Sequence, residues 1–335
     1  MTVALSVPVP QEIRVHTNVR FMKKFKRYEP MVMDHSAIIQ AKMCKRKYFY
    51  RIVLGFASRE RPQYFGFGSC YHKFREILEK KWMEDDRLHN QKVDDDKWQQ
   101  EICLVAVNAA RKLWKDLKMR DPVVGDKWDF QTEARLVASC MAAFRTWQKE
   151  KKQNRIEVIA VEQNFVVRLP DGEYVGGKAD QIIRWNQKTW GRDWKTSSKE
   201  QNAYYTRGLD PNDQFTRYTY GEQQLCGEPV QGQLVEVLYN AKGTKAEPVK
   251  GPTIHQHMAT RSQSQLAQWE KEHVTYNKML QLLRDEDSWP MEERSCTFCE
   301  YHSVCKGSSE ASQMAKLEAE FVVQPWNFLN REVDD

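Results

Sequence analysis

The spacing of apolar residues changes near residue 154, and this change limits the folds open to the chain. Before that point, apolar residues recur every three or four positions, which places them on one face of a helix. After it, Val and Ile concentrate in short runs separated by turns, as in β-strands. Helices precede and follow these strands and no linker separates two halves, which predicts one mixed α/β domain with a helical insertion.

The first part of the chain predicts four helices. The first begins near Asp34 or Ser36, both good N-caps, and places Ile39, Met43 and Tyr50 on one face. A loop rich in Gly and Pro follows over residues 55–68. The next three helices are predicted over residues 69–90, 95–118 and 132–152. Their apolar stripes are Tyr71, Phe74, Leu78 and Trp82; Trp98, Ile102, Val105 and Leu113; and Leu136, Cys140, Phe144 and Trp147.

The second part predicts three consecutive strands joined by tight turns. They cover residues 156–169, 174–185 and 189–196. The first turn is Pro170-Asp171-Gly172, and the second lies between Asn186 and Lys188. Beyond them, the pattern predicts a helix over 211–225, a strand over 233–240, a helix over 262–287, a short helix and an acidic tail.

Composition indicates a folded, water-soluble protein. Of 335 residues, 41% are hydrophobic and 29% are charged, which excludes wholesale disorder. The longest apolar run, residues 52–57, is far shorter than the roughly 18 residues that a membrane span needs. Residues 1–10 are apolar but lack the basic region of a signal peptide. We therefore expect a cytoplasmic protein with no membrane contact.

Positive charge is concentrated at the N-terminus. Residues 1–61 carry 13 basic and 4 acidic side chains, a net +9, whereas the remainder carries 39 and 42, a net −3. Lys45, Arg46 and Lys47 precede the aromatic Tyr48, a combination that suits a nucleic acid because cations contact phosphates and rings stack on bases. Two alternatives stay open: a solvated charged face, and burial of Tyr48 in the core.

The eight cysteines divide into two groups. Four stand isolated and are expected to be small buried apolar residues: Cys70, Cys103, Cys140 and Cys226. The other four are Cys44, Cys296, Cys299 and Cys305, and three of these lie within ten residues. Without a signal peptide, such thiols are expected to bind a metal rather than form disulfides. Four thiolates suit either a [4Fe–4S] cluster or Zn²⁺, and His302 could replace one of them.

A glycine-rich segment imitates a phosphate-binding loop. Residues 172–178 match G-x-x-x-x-G-K, but Ala179 stands where such a loop needs Ser or Thr for Mg²⁺. The residues after Lys178 read as a strand, whereas the loop requires a helix. We therefore expect no ATP-dependent motor in this chain.

The same region predicts an acidic hairpin. If it turns at Gln187 and Lys188, Asp180 lies opposite Lys195, with Asp193 diagonal to Asp180. Two carboxylates can hold Mg²⁺ or Mn²⁺, which acidifies its bound water, and a lysine can neutralise charge that develops on phosphorus. On these residues alone, an ordinary cross-strand ion pair is the alternative.

A wider set of residues extends this pattern. The layout resembles the PD-(D/E)XK nuclease superfamily, in its RecB-type branch, at His72, Glu162, Asp180, Asp193, Lys195, Gln214 and Tyr218. The resemblance implies that Asp180 and Asp193 hold the divalent metal, that His72 adds a ligand favouring Mn²⁺, and that Lys195 assists the attacking water. It also implies that Gln214 and Tyr218, four apart on a helix, position the strand or support the lysine. Glu162 occupies the place of a frequent glutamate on a strand.

The cysteines carry a second resemblance. Cys296-x₂-Cys299-x₅-Cys305 with the distant Cys44 resembles the iron–sulfur nucleases, namely the CRISPR-associated Cas-four exonucleases and the AddB nuclease subunit. This implies a [4Fe–4S] cluster that joins the N- and C-terminal parts of the chain. Its role is then structural, because bound metal would close a separation of 252 residues (296 − 44).

Together, the resemblances imply a restriction-endonuclease-like mixed sheet flanked by helices. They imply a basic extension over 1–34, a nuclease domain over 35–310, and a C-terminal helix and acidic tail over 311–335. Within the domain, the helical part is expected over 69–152 and the sheet over 153–245. The iron–sulfur segment is expected over 289–306.

The implied function is metal-dependent hydrolysis of DNA, with single-strand exonuclease action favoured. A helicase, recombination or CRISPR-adaptation protein is an expected partner, and an oligomer is compatible with the sequence. Three alternatives stay open: a nuclease subunit that acts with a helicase, a DNA-binding adaptor that has lost catalysis, and a binding module held together by zinc.

Overall fold

The computed structural model describes residues 21–29, 32–59, 63–84, 95–117, 127–128, 132–153, 156–241, 243–244 and 251–330. The first 20 residues of the basic extension, the predicted helix ends beyond residues 84 and 117, and the acidic tail lie outside the described residues.

The described residues form ten strands and ten α-helices. The strands are β1 (Val32–Met33), β2 (Phe56–Ser58), β3 (Lys127–Trp128), β4 (Ile156–Arg168), β5 (Tyr174–Trp185), β6 (Lys188–Ser197), β7 (Val230–Tyr239), β8 (Gly243–Thr244), β9 (Thr253–Thr260) and β10 (Phe321–Val323). The helices are α1 (His35–Met43), α2 (Lys45–Tyr48), α3 (Gln63–Glu84), α4 (Asp96–Asp116), α5 (Glu133–Gln153), α6 (Ala203–Arg207), α7 (Asp213–Cys226), α8 (Gln263–Asp285), α9 (His302–Cys305) and α10 (Glu310–Glu320).

A six-stranded mixed sheet forms the centre of the molecule. Its main path is β1-β5-β6-β7-β9, and β4 pairs with β5. The pairs β4–β5, β5–β6 and β7–β9 are antiparallel, whereas β1–β5 and β6–β7 are parallel. The mixed α/β fold class is therefore confirmed, and the sheet continues through β9 to Thr260.

The turn between β5 and β6 differs from the predicted one. Asn186 and Gln187 both have positive φ, 49° and 60°, and form a two-residue turn in which Trp185 pairs with Lys188. Two left-handed residues give the backbone twist that tight hairpins favour. The predicted register, with Asp180 opposite Lys195, is therefore wrong by two residues.

Three long helices, α3, α4 and α5, pack together and against the sheet through one hydrophobic core. The predicted stripes of α3 and α5 are buried, but Val105 of α4 is 50% exposed. The buried positions of α4 centre instead on Ala106 and Trp114. The predicted loop over 55–68 is also too long, because α3 begins at Gln63 and includes Gly66 and Gly68.

The first predicted helix is interrupted at Cys44. Of the two predicted N-cap candidates, Asp34 is the N-cap, and its carboxylate accepts a hydrogen bond from Ala37 N at 3.0 Å. Cys44 is extended (φ −162°, ψ 120°), and α2 and a π-helix over Phe49–Val53 follow. Consequently, α1 buries Ala37, Ile38 and Ala41, whereas Met43 of the predicted stripe is 45% exposed.

A second core joins the two ends of the described chain. It contains residues of α1, the π-helix, the end of α8, the segment around residues 289–305, and the C-terminal elements. Trp289 stacks on Phe49 with ring centroids 4.9 Å apart, and β10 pairs with β2. Residues far apart in sequence thus share one buried cluster.

Helix α7 lies close against the sheet at Gly221. A Cβ at this position would lie 2.2–2.7 Å from ring atoms of Phe165 on β4. We expect Gly221→Ala to lower the free energy of unfolding by about 1–3 kcal/mol, because a packed core resists added volume. Urea unfolding measures the change. Gly251→Ala, which would meet nothing within 4 Å, is the control and should leave the midpoint unchanged.

Candidate metal centre

Three carboxylates lie on three neighbouring strands. Val161 pairs with Gln181 and Gln163 with Ala179, so Glu162 of β4 stands opposite Asp180 of β5. The β5–β6 pairing ends at Gln181 with Arg192, which places Asp193 across from Asp180 at the next position. The structure therefore brings together the predicted residues Glu162, Asp180 and Asp193.

The sheet opens at this row. Beyond Arg192, β6 stays paired with β7 but no longer with β5. The carboxylate of Asp180 compensates, because its Oδ2 accepts a hydrogen bond from Trp194 N at 2.8 Å. On the other side, Glu162 has a φ of 53°, a left-handed conformation within a strand. Strained backbone positions of this kind cluster at functional sites.

Each carboxylate has a cationic neighbour. His72 Nδ1 of α3 lies 3.5 Å from Asp180 Oδ1, and Lys195 Nζ lies 2.9 Å from Asp193 Oδ2. Lys178 Nζ lies 2.5 Å from Glu162 Oε2. In the sequence, Lys178 belongs only to the rejected phosphate-loop motif, so it has no predicted role. Its position two residues before Asp180, on the same face of β5, was the available signal.

The mutual influence of these groups shows in their pKa values. Burial would lower the pKa of His72, but the charge of Asp180, a hydrogen bond to it and the charge of Glu162 raise the pKa to about 9. Burial raises the pKa of Glu162, and the charge of Asp180 raises it further. Burial likewise raises the pKa of Asp193; the charge of Lys195 opposes this rise, and the charge of Asp180 adds to it. Burial would also raise the pKa of Asp180, but His72 lowers it. The site thus concentrates negative charge that a cation would stabilise.

The residues fit a divalent cation. One ligand atom from each of His72, Glu162 and Asp180 can be chosen so that all three lie within 4.8 Å of one another. An octahedral ion with metal–oxygen distances of about 2.1 Å has ligands about 3.0 Å apart when adjacent and about 4.2 Å apart when opposite. Small side-chain movements would therefore complete the coordination. Asp193, which contacts Lys195, is outside this compact group.

Helix α7 borders the site. Tyr218 is buried and packs edge-on against Phe165, with ring centroids 5.8 Å apart. Lys195 Nζ lies 5.9 Å from the ring centroid of Phe215. Gln214 is half-buried in the first turn of the helix, so the predicted pair Gln214 and Tyr218 lies on the element that contacts Lys195.

Asp213 fixes the start of α7. Its carboxylate accepts hydrogen bonds from Lys42 Nζ at 2.8 Å and Trp269 Nε1 at 3.0 Å, and His35 Nδ1 lies 3.3 Å away. These partners belong to α1 and α8, so Asp213 ties three helices together next to Gln214. Sequence analysis did not identify this contact.

A buried ionic network lies behind β6. Its members come from α3, α5 and two strands, and carry three positive and three negative groups: Arg75, Lys151, Arg192, Glu79, Glu150 and Glu236. Arg75 also lies over the ring of Trp194 at 5.0 Å, and the ring of His72 packs edge-on against Trp194 with ring centroids 6.0 Å apart. Sequence analysis missed the network because charged residues in amphipathic helices are usually exposed.

The four cysteines of the proposed metal site are free thiols near the second core. Glu292 N donates a hydrogen bond to Cys44 Sγ at 3.4 Å, and Ser295 Oγ donates to Met43 O at 2.9 Å. Burial raises the pKa of Cys305 to about 11. The charge of Arg46 opposes this rise, and the charges of Cys299, Cys44 and Cys296 add to it. We call these four residues the cysteine clasp. No three of these thiols lie within 4.8 Å of one another, nor does any group of three that includes His302.

The basic aromatic helix is mostly engaged within the protein. Arg46 Nε donates to Trp289 O at 2.8 Å, Lys47 Nζ lies 2.9 Å from Glu300 Oε2, and Lys45 Nζ lies 5.8 Å from the Tyr276 ring centroid. Tyr48 is fully buried and its hydroxyl donates to Glu29. Tyr48 is therefore a core residue: of the two interpretations left open for its ring, burial is correct and stacking on bases is not.

A sheet that opens at a row of carboxylates, with a lysine two residues after the last one, defines a site of the metal-dependent nuclease type. The sequence pattern of the PD-(D/E)XK nuclease superfamily matches residues 34–306, and the chain belongs to this superfamily. The search of curated proteins finds no significant match.

Two solved structures are similar to the chain at 12% identity each. One, described as a "putative exonuclease" from Eubacterium rectale, covers 91% of this chain and 94% of its own, with a TM-score of 0.43. The other, SSO0001, covers 71% of this chain and 85% of its own, with a TM-score of 0.26. Among the described residues, no helix is both long and apolar enough to cross a membrane.

The ion pair of His72 with Asp180 predicts a pH-dependent stability. The folded protein holds the His72 proton more tightly than the unfolded chain, where the pKa of histidine is about 6.5. The pair therefore contributes fully below about pH 6.5, and this contribution is lost as pH rises through the folded pKa of about 9. We expect the stability difference between wild type and His72→Asn to shrink across this interval.

Urea unfolding in EDTA, at several pH values from 6 to 10, measures this difference. His302→Asn is the control, since His302 is exposed, and it should show no such change. A constant difference across the interval would contradict the ion-pair assignment.

Proposed function

We propose that the protein is a divalent-metal-dependent deoxyribonuclease that acts on single-stranded DNA, chiefly as an exonuclease. The observation that supports it is the row of Glu162, Asp180 and Asp193 at the opening of the sheet, with His72 and Lys195 beside it. Superfamily membership supports nuclease chemistry, and the choice of DNA and of exonuclease action is our proposal.

In this proposal, His72, Asp180 and Asp193 hold Mg²⁺ or Mn²⁺, and Glu162, which forms a compact group with His72 and Asp180, is a further candidate ligand. Such a cation acidifies bound water and stabilises charge on phosphorus. His72 must lose its proton to bind, so metal binding replaces the charge that now neutralises Asp180. An imidazole ligand favours Mn²⁺ over Mg²⁺.

Lys195 and α7 supply the remaining functions. Asp193 and Asp180 outweigh burial and raise the pKa of Lys195, which keeps this side chain positively charged. A charged ammonium next to Asp193 can orient the attacking water or neutralise the phosphorane-like charge. We assign Gln214 and Tyr218 to positioning of the DNA strand and support of Lys195.

We also propose that the cysteine clasp binds a [4Fe–4S] cluster. The thiols influence one another's ionisation, yet no three of them are within 4.8 Å. A single tetrahedral zinc with bonds of about 2.3 Å needs sulfurs about 3.8 Å apart. In a cluster each thiolate binds a different iron, so the sulfurs need not lie as close together as around a single zinc. Its role is structural, because it joins the two chain ends.

Asp193→Asn tests the catalytic assignment. We expect loss of at least about 100-fold in cleavage, because the cation and its bound water contribute several kcal/mol to the reaction. End-labelled single- and double-stranded DNA, with Mg²⁺ or Mn²⁺, measures rate and direction. Asp116→Asn is the control: this aspartate is 54% exposed on α4 and pairs only with Lys112 among the described residues. Cleavage by the Asp193 variant at the wild-type rate would sink the proposal.

Cys44→Ser tests the clasp. We expect loss of iron and visible absorbance together with a large loss of stability, because metal-binding free energy is also folding free energy. Cys226→Ser, at a half-buried cysteine outside the clasp, should retain both. Iron content, absorption spectra and thermal unfolding of protein prepared without oxygen give the readouts. A full iron complement in the Cys44 variant would show that the fourth ligand is another residue, and His302 is the next candidate. If the wild type contains zinc and no iron, the zinc alternative is supported.

All the predicted catalytic residue types are present and adjacent, which argues against an inactive adaptor. A helicase, recombination or CRISPR-adaptation protein as partner remains part of the proposal, since no ATP-binding motif accompanies the nuclease: Lys178 lies in β5 rather than before a helix.

A further inference from the structure

The chain that leaves β6 forms an exposed element beside the candidate site. After Lys195, β6 ends at Ser197 and the chain forms the five-residue helix α6. No side chain of this helix is buried, and Tyr204 is 87% exposed. Asn202 nevertheless caps the N-terminus of the helix, because its Oδ1 accepts hydrogen bonds from Tyr204 N at 3.0 Å and Tyr205 N at 3.1 Å.

The inner side of α6 is anchored next to Lys195. Tyr205 and Leu209, four residues apart, pack against a cluster of Phe215, Val235, Val237 and Ala259. Val235 and Val237 of β7 are the sheet partners of Asp193 and Lys195. Phe215 is also the ring below Lys195 Nζ. The helix therefore rests one strand away from the proposed catalytic residues.

The outer side of α6 combines a ring with positive charge. Tyr204 and Arg207 are three residues apart, so they share a helix face that differs from the face of Tyr205. Lys199 lies just before the helix, and both cations are exposed. Within the described residues, neither Lys199 nor Arg207 forms an ion pair, whereas Asp210 in the same segment is paired with Arg261 at 2.7 Å. Glu200 is the one remaining acidic side chain there.

We propose that Lys199, Tyr204 and Arg207 form a docking platform for unpaired DNA that enters the site. One base stacks on the Tyr204 ring while Lys199 and Arg207 contact the flanking phosphates. Every base has a face that can stack, but in a duplex those faces are already covered, so the platform selects single strands. This inference rests on the proposed function and gives it a residue that determines strand preference.

Binding of a fluorescent single-stranded oligodeoxynucleotide and of a blunt duplex, without divalent metal, tests the platform. Tyr204→Ala should weaken single-strand binding about 5- to 150-fold, which corresponds to about 1–3 kcal/mol for one stacked base. Duplex binding should change less than twofold, and Tyr204→Phe should bind as the wild type does. Leu104→Ala is the matched control, since it removes a side chain that is 61% exposed on α4. Arg207→Gln should reduce the salt slope of single-strand binding by about 0.7.

The outcomes separate the platform from the proposed function. If the wild type cleaves DNA but Tyr204→Ala binds single strands unchanged, the platform is wrong and the nuclease proposal stands. An equal loss for single strands and duplex also overturns the strand preference. If the wild type neither binds nor cleaves DNA, both proposals fail together. Thermal unfolding confirms that the Tyr204 variants remain folded, as its exposure leads us to expect.

Discussion

The repulsion among three neighbouring carboxylates is the constraint around which this structure is organised. Glu162, Asp180 and Asp193 stand on adjacent strands, where like charges destabilise a sheet. The fold supplies a cation to each: His72 from α3, and Lys178 and Lys195 from the strands themselves. Such a balance holds the site together without metal. Burial would lower the pKa of His72, but the charges of Asp180 and Glu162 raise it to about 9, so this side chain keeps its positive charge near neutral pH.

Side chains alternate along β6, and this alternation places the metal centre and the buried ionic network on opposite faces of the strand. Asp193 and Lys195 face one side of the strand, whereas Arg192 and Trp194 face the other, because successive strand residues point in opposite directions. Arg192 pairs with Glu150, and Arg75 lies over Trp194. Buried ion pairs contribute little net stability, but removal of one partner costs about 3–5 kcal/mol. Such a network therefore tolerates few alternative arrangements of β6, and Trp194 N keeps its hydrogen bond to Asp180.

Sequence analysis identified the elements better than their arrangement. Strands β4, β5 and β6 were predictable because apolar runs bounded by turns are local signals. The hairpin register was wrong because Asn186 and Gln187 adopt left-handed backbone without the glycine that usually marks such a turn. The polar sequence of β9 hid a strand that is recognisable only by its pairing with β7. The break at Cys44 was equally hidden, because Cys44 contacts Glu292, which is 248 residues away in sequence.

The cysteine clasp and the metal centre differ in the sequence separation of the segments that form them. The metal centre depends on strands that follow one another closely, whereas the clasp depends on two segments with most of the chain between them. Closing a loop of about 250 residues costs roughly 5 kcal/mol of chain entropy, by the logarithmic dependence on length. A hydrogen bond from Arg46 to Trp289 and stacking of Trp289 on Phe49 offset part of this cost. A cluster bound by the clasp would offset the rest. We therefore expect its loss to release the second core first, and to reach the carboxylate row through connecting contacts such as that of α1 with Asp213.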